Sequence, residues 1–228
     1  NIQLAIVTGG LLFVALAFVL ARIMPERGFT PTPAEERESW RGMVRAFSTG
    51  ARLVRGRTVL MIFGGAAAIF GLASEGCDRL WTPHLLNDFT FPAIGLNTVT
   101  WFGLIAAAAT LLSLPATELV RRRIEVGHSR GAAWVLLLSS AGIFGLMILF
   151  AIADRIGLAI GAFLLVRTLQ AVSEPVFAAW VNPHIESGVR ATVFSMASQL
   201  NAVGQIAGGP GVGRIGSHVS IRAALMTS

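Results

Sequence analysis

The chain has 228 residues, 54% of them hydrophobic and only 13% charged, with a formal net charge of +6. Its apolar residues fall in long blocks, whereas a soluble domain of this size carries more charge and shorter apolar stripes, so the composition excludes an ordinary globular enzyme and marks an integral membrane protein. Every cation is an arginine and most lie between the apolar runs, a pattern of membrane topology rather than of a phosphate-binding face, so no nucleic-acid partner is expected. The single cysteine, Cys77, has no partner for an internal disulfide, and no Cys/His spacing fits a metal site, so neither a metal nor a cofactor is expected.

Six runs are long enough to span a bilayer: 2–23, 59–81, 98–119, 131–153, 156–181 and 192–215. The tail 217–228 is too short to cross, although 221–226 can begin a seventh helix. The first run has neither the basic start nor the small-residue cleavage site of a signal peptide, and the chain reads as a piece of a longer protein. Arginines crowd 26–57, 118–130 and the turn near Pro183, while the opposite side carries Arg79, Arg155, Arg214 and Arg222. The positive-inside rule therefore puts the first group in the cytoplasm; the expected location is the plasma membrane.

Between the first two spans, 24–57 is the one long polar segment, with Pro25, Gly28, Pro31 and Pro33 breaking its start. Thr32 then offers an N-cap, Pro33 suits the first helical position and Glu35 completes a capping box. Trp40, Met43, Val44, Phe47, Ala51 and Val54 recur at helical spacing, so an amphipathic helix is expected on the membrane surface or beneath the bundle.

The run 59–81 ends in Ser74, Glu75, Gly76, Cys77, Asp78, Arg79, Leu80 and Trp81. Ionisable groups inside a span are costly enough to point to function. Glu75 lies about 9 Å below Trp81 along a helix axis, too deep for a short carboxylate to reach water without a cavity. Arg79 and Trp81 read as interfacial residues, reaching outward and anchoring. Beyond them Pro83, His84, Asp88 and Pro92 read as an outer loop, and Asn97 caps the next helix. That third span is nearly featureless inside, with Ser113, Pro115 and Thr117 marking a kink near its exit. Arg121, Arg122 and Arg123 follow Glu118 there; they either hold topology or form ion pairs that latch helix ends.

The fourth span has no ionisable residue and reads as a lipid-facing or packing helix, joined to the fifth by the short turn Asp154-Arg155. In the fifth, Arg167, Gln170, Ala171 and Glu174 share one face near mid-bilayer, followed by Pro175. A guanidinium at that depth cannot face lipid, so this face looks into a wet cavity or pairs with a carboxylate of a neighbouring helix. In the sixth, Gly204 with Gly208 and Gly209 with Gly213 are spaced for close helix approach, while Ser195, Ser198, Gln199, Asn201 and Gln205 are too many polar groups for a lipid face.

These features resemble the C-terminal half of a major facilitator superfamily transporter over nearly the whole chain. The resemblance rests on the Arg-rich linker after Ile23, the Arg121–Arg123 inner loop and Gly208-Gly209-Pro210. Ser74-Glu75-Gly76-Cys77-Asp78-Arg79-Leu80-Trp81 and Arg190-Ala191-Thr192-Val193-Phe194-Ser195 are similar to the twelve-helix drug/proton antiporter branch that includes macrolide- and tetracycline-type exporters. It implies an all-α integral membrane bundle, the C-terminal half of a twelve-helix fold with six spans present and the last helix truncated. On this reading, 1–23 is the last helix of the N-terminal bundle, 24–57 the cytoplasmic linker and 58–228 the C-terminal bundle. The implied partners are the lipid bilayer, an amphipathic small-molecule substrate, protons and the missing N-terminal helices, and the implied activity is proton-coupled efflux rather than enzymatic chemistry. Glu75, Asp78, Arg167, Glu174, Gln199 and Gln205 are the expected substrate or proton-coupling residues. Arg121, Arg122 and Arg123 are the expected latch, and Gly204, Gly208, Gly209, Pro210 and Gly213 the packing surface. Two rivals are metabolite or sugar uptake, against which the absence of Tyr counts mildly, and a non-transporting membrane scaffold. No HExxH or Gly-x-Ser-x-Gly motif supports a membrane enzyme.

Overall fold

The computed structural model describes residues 2–24, 48, 52, 55–123, 129–185 and 190–227. Helix α1 runs Ile2–Ile23, α2 Thr58–Asp88, α3 Thr98–Arg123, α4 Ser129–Ile152, α5 Ile156–Val181, α6 Arg190–His218 and α7 Ile221–Met226; a 3-10 turn, Asn182–His184, follows α5. There is no strand among the described residues. The expected amphipathic helix of the linker falls largely outside them.

Helices α1 to α5 are long and apolar enough to cross a membrane. Helix α6 is 29 residues long but is not among them, because Ser195, Ser198, Gln199, Asn201, Gln205 and Arg214 dilute its apolar character. The sixth expected span is therefore a helix at the expected place that lacks the apolarity of the other five.

Helix α1 belongs to one compact unit and α2–α7 to another. The α1 side chains from Ile6 onward are almost all exposed, as suits a helix whose solvent is acyl chain rather than water. In the larger unit α2 packs on α6, α4 on α5 and α5 on α3, while α7 wedges against α2, α4 and α6. Two apolar cores hold this arrangement. One joins Cys77 and Leu85 of α2 to Met147, Phe150, Phe163, Val166 and Leu225. The other, toward the opposite ends of α2 and α5, gathers Leu60, Phe63, Ala67, Val181, Val193 and Ala197. Phe63 stacks on Phe177 at 5.0 Å and meets Phe194 edge-on at 5.6 Å.

Several local signals act as expected. Asn97 Oδ1 accepts from the Thr100 backbone N–H at 2.8 Å, capping α3. Ala153, Asp154 and Arg155 alone separate α4 from α5. Ser220, not singled out from the sequence, caps α7 by accepting from Ala223 N at 3.0 Å. Prolines 115, 175 and 210 lie inside helices, a placement that membrane bundles tolerate because neighbours re-satisfy the freed carbonyls.

One boundary differs from expectation. Helix α2 continues through Pro83 to Asp88, so Pro83, His84 and Asp88 form its last turns and not a loop. The hydropathy run stops near Trp81, but the helix does not, because Leu85 and His84 are fully buried and anchor two more turns. Trp81 is likewise packed inward: its ring stacks on Phe163 at 4.5 Å and meets Phe102 edge-on at 5.3 Å.

Candidate functional site

The site is built on successive turns of α2. From Ala67 to Glu75 this helix lies backbone-to-backbone against α6. A Cβ at Gly71 would land on the Asn201 carbonyl oxygen, and one at Gly204 on the Ala68 carbonyl oxygen; at Gly208 it would lie 2.8 Å from the Leu72 oxygen. Only hydrogen fits at these three positions, which is how small residues bring membrane helices together. Asn201 Nδ2 donates to the Ala67 carbonyl at 3.2 Å and its Oδ1 accepts from Gln205 Nε2 at 3.1 Å, so the polar stripe of α6 partly serves this seam.

Glu75 closes the seam. Its side chain is 6% exposed, and a Cβ at Gly209 would come 3.3 Å from its Oε1, so Gly209 leaves room for the carboxylate. One turn on, Arg79 is itself exposed and donates through Nε to Glu75 Oε1. The arginine expected to reach outward thus turns back to neutralise a buried carboxylate.

Beyond the seam, α2 diverges toward α3 and α5 and a cleft of about 370 Å³ opens, lined by Asp78, Trp81, Ala106, Ala109, Thr110, Ser113, Phe163, Arg167 and Ala171. Arg167 Nη1 donates to Asp78 Oδ1 at 2.8 Å and to Gln170 Oε1 at 3.0 Å. The two charged side chains are each 43% exposed, so the pair opens onto the cleft and is not sealed in a core. Arg167 stands about 17 Å along the axis from Ile156 and about 21 Å from Val181, close to the middle of its span. Thr110 and Ser113 donate to carbonyls of their own helix, at 3.0 Å to Ala106 and 2.8 Å to Thr110, which leaves hydroxyl lone pairs able to accept from a guest. The span that reads as featureless therefore supplies a polar wall.

This cleft offers an aromatic plate in Trp81 and Phe163, one anion, one cation and two hydroxyl acceptors. Its volume lies in the usual range of about 300–1,000 Å³ for small-molecule sites, and its contents suit a guest that is apolar at one end and polar or charged at the other. No cluster of metal-ligating side chains occurs among the described residues.

The structure brings Asp78 and Arg167 together as an ion pair and sets Glu75 one turn before Asp78 on the same helix. It does not gather the rest. Glu174 is exposed, as is Gln199, and neither joins the cleft; Gln205 serves Asn201. Arg121 and Arg122 both return to Glu118 of their own helix, at 2.7 and 2.6 Å, and among the described residues neither forms an ion pair with another helix; the Arg123 side chain is outside the described set. Gly204, Gly208 and Gly209 face α2, whereas Gly213 has nothing near it and Pro210 is exposed. Sequence reasoning missed Thr110 and Ser113, whose spacing of three on one helix face was the available signal.

Fold and site define the class: a helical membrane protein carrying a polar, charge-bearing cleft at mid-span. No protein-family model, curated protein or solved structure matches the chain.

Proposed function

We propose that this chain is part of a secondary active transporter that moves amphipathic small molecules by proton-coupled efflux. The supporting observation is the Asp78–Arg167 pair lining a cleft of about 370 Å³ in the middle of apolar helices. Charges at that depth are expensive unless they line a wet pathway or bind something that crosses. A pair that faces a cleft can open, one partner taking a proton or a substrate group while the other is released.

In this reading α2–α7 form most of one bundle, which rocks against a second bundle so that the cleft faces the two sides of the plasma membrane in turn. Glu75 and Asp78 are the proton-linked carboxylates. Arg167 pairs with Asp78 until a proton or substrate competes. The membership in the major facilitator superfamily, the cytoplasmic position of the linker and the outward direction rest on the resemblance of the Ser74-to-Trp81 and Arg190-to-Ser195 segments.

The test uses the intact protein in proteoliposomes with an imposed pH gradient, following efflux of a fluorescent amphipathic substrate and proton movement together. Asp78→Asn and Arg167→Gln are each expected to abolish coupled transport. The charge-reversed double variant D78R/R167D decides the matter. Restored folding without restored coupling supports the proposal; full restoration of both would reduce the pair to a structural tie and overturn it.

A further inference from the structure

A second cavity, of about 100 Å³, opens at the end of α5 opposite the Asp154-Arg155 turn, between the last turns of α3 and α5 and the first turn of α4. Val120 and Arg121 of α3, Ala132 of α4, and Val176, Ala179 and Trp180 of α5 line it. Helices α3 and α4 both pack on α5, but among the described residues they scarcely touch each other, so a groove runs between them with α5 as its floor. Ala132 is buried there, and like Ala179 it is too small to fill the space between the helices.

The interior is apolar and the mouth is charged. Arg121 and Arg122 are both exposed at the end of α3. Glu118 accepts from Arg121 Nε and Nη2 at 2.7 and 2.9 Å and from Arg122 Nε at 2.6 Å. Two guanidiniums thus share one carboxylate, and since each has five N–H groups, most of their donors are not spent on it. The whole segment 118–130 holds four arginines against two glutamates.

Size selects the occupant. Small-molecule sites usually run to about 300–1,000 Å³, and an apolar cavity of about 150 Å³ holds one benzene, so this one admits a narrow apolar stretch and not a compact ligand. In a bilayer the narrow apolar object always at hand is an acyl chain. Charge then selects the headgroup, since the surplus cation stands near the level of Trp180, in the last turn of α5, where interfacial tryptophans meet lipid headgroups.

We propose that the groove between α3 and α4 binds one anionic phospholipid of the bilayer, with an acyl chain against Ala132, Val176 and Ala179 and the phosphate on Arg121 and Arg122. Basic pockets between membrane helices take acidic headgroups in this way, and one uncompensated arginine charge near the surface favours an anionic lipid by about fivefold. The lipid ties α3, which carries the Thr110 and Ser113 wall of the cleft, to α4. Its binding does not require that the chain transport anything.

The experiment reads Trp180 fluorescence in the intact protein in phosphatidylcholine nanodiscs that contain a small fraction of lipid brominated in its acyl chains, which quenches tryptophan on contact. The Trp180 share is the difference from Trp180→Phe. Brominated phosphatidylglycerol is expected to quench it at about one fifth of the mole fraction that brominated phosphatidylcholine needs, and the double variant R121Q/R122Q is expected to lose that preference. Native mass spectrometry of the wild-type protein released from unbrominated mixed nanodiscs, which needs no variant, is expected to show one retained phosphatidylglycerol. Equal quenching and equal retention of the two lipids would mean that bulk acyl chains enter the groove without headgroup selection. Absence of quenching by either would mean that protein side chains fill it, and a preference that survives in R121Q/R122Q would place the anion elsewhere. Each of these three results overturns the proposal.

Discussion

Helix α2 meets its neighbours in two opposite ways within a few turns. From Ala67 to Glu75 it lies against α6 with no side chain between the backbones at Gly71, Gly204 and Gly208. From Asp78 to Trp81 it borders a cleft toward α3 and α5, crossed by the Asp78–Arg167 ion pair and flanked by Trp81 stacked on Phe163. The seam has no room to change in small steps, whereas the charged contact across the cleft is one that water, a proton or a guest can replace. In a bilayer, where apolar burial does not drive helices together, close backbone packing supplies rigidity and charged groups mark the place where the bundle does its work. On the proposed function, the seam is the fixed reference against which the cleft opens.

The most damaging way to break this contrast is to give the seam a side chain. Gly71→Ala and Gly204→Ala each place a methyl on a carbonyl oxygen of the facing backbone, where no rotamer change relieves the clash. Overpacking typically costs about 1–3 kcal/mol, and backbone against backbone belongs at or above the upper end. We expect loss of monodisperse protein in detergent and a clearly lower unfolding temperature. A variant that keeps wild-type stability would mean that α2 and α6 are not in close contact.

Glu75→Gln tests the join between the two regions. The amide keeps the shape beside Gly209 and still accepts from Arg79, so folding is expected to survive; the charge is lost, so proton-coupled efflux by the intact protein is expected to weaken severalfold at unchanged expression. Unchanged efflux would remove Glu75 from the mechanism and leave Asp78 as the carboxylate that matters in this half.

Local chemistry made much of this fold readable. The bounds of α1 and α5, the Asn97 cap, the Asp154-Arg155 turn and the start of α7 follow from hydropathy, capping residues and breakers. The Gly204–Gly208 spacing pointed to a close helix contact. Arg167 announced that it needed a carboxylate, but only tertiary structure shows that Asp78, 89 residues earlier, supplies it. The end of α2 was lost for a physical reason: hydropathy locates where a chain crosses lipid, while helices continue wherever burial supports them. His84 has partners 66 residues away at Phe150 and, through Asp88, 134 residues away at Arg222. Glu174 and Gln199 share helix faces with polar neighbours, yet both are exposed and neither lines the cleft.

A smaller effect is expected at the mouth of α3. Asn97→Ala removes an oxygen that accepts from both the backbone N–H and the hydroxyl of Thr100, at 2.8 and 2.7 Å. Losing such a cap costs about 1 kcal/mol, and because α3 carries Thr110 and Ser113 of the cleft wall, a small rise in apparent KM is expected with little change in kcat. Stability that falls with transport wholly untouched would mean that the α3 wall does not contact the guest.

The smallest expected effect sharpens the comparison from the other side. Gly213 stands four residues after Gly209, with the spacing of a packing glycine, yet nothing approaches the position its Cβ would take and the residue is exposed. Gly213→Ala therefore meets no clash and gains the helical preference of alanine, worth about 0.5–1 kcal/mol at a free helical position. Its unfolding temperature is expected to be unchanged or slightly raised, in contrast to Gly71→Ala and Gly204→Ala. A strong destabilisation at Gly213 would show that α6 packs against a further surface there in the intact protein, and that its second glycine pair carries a contact of its own.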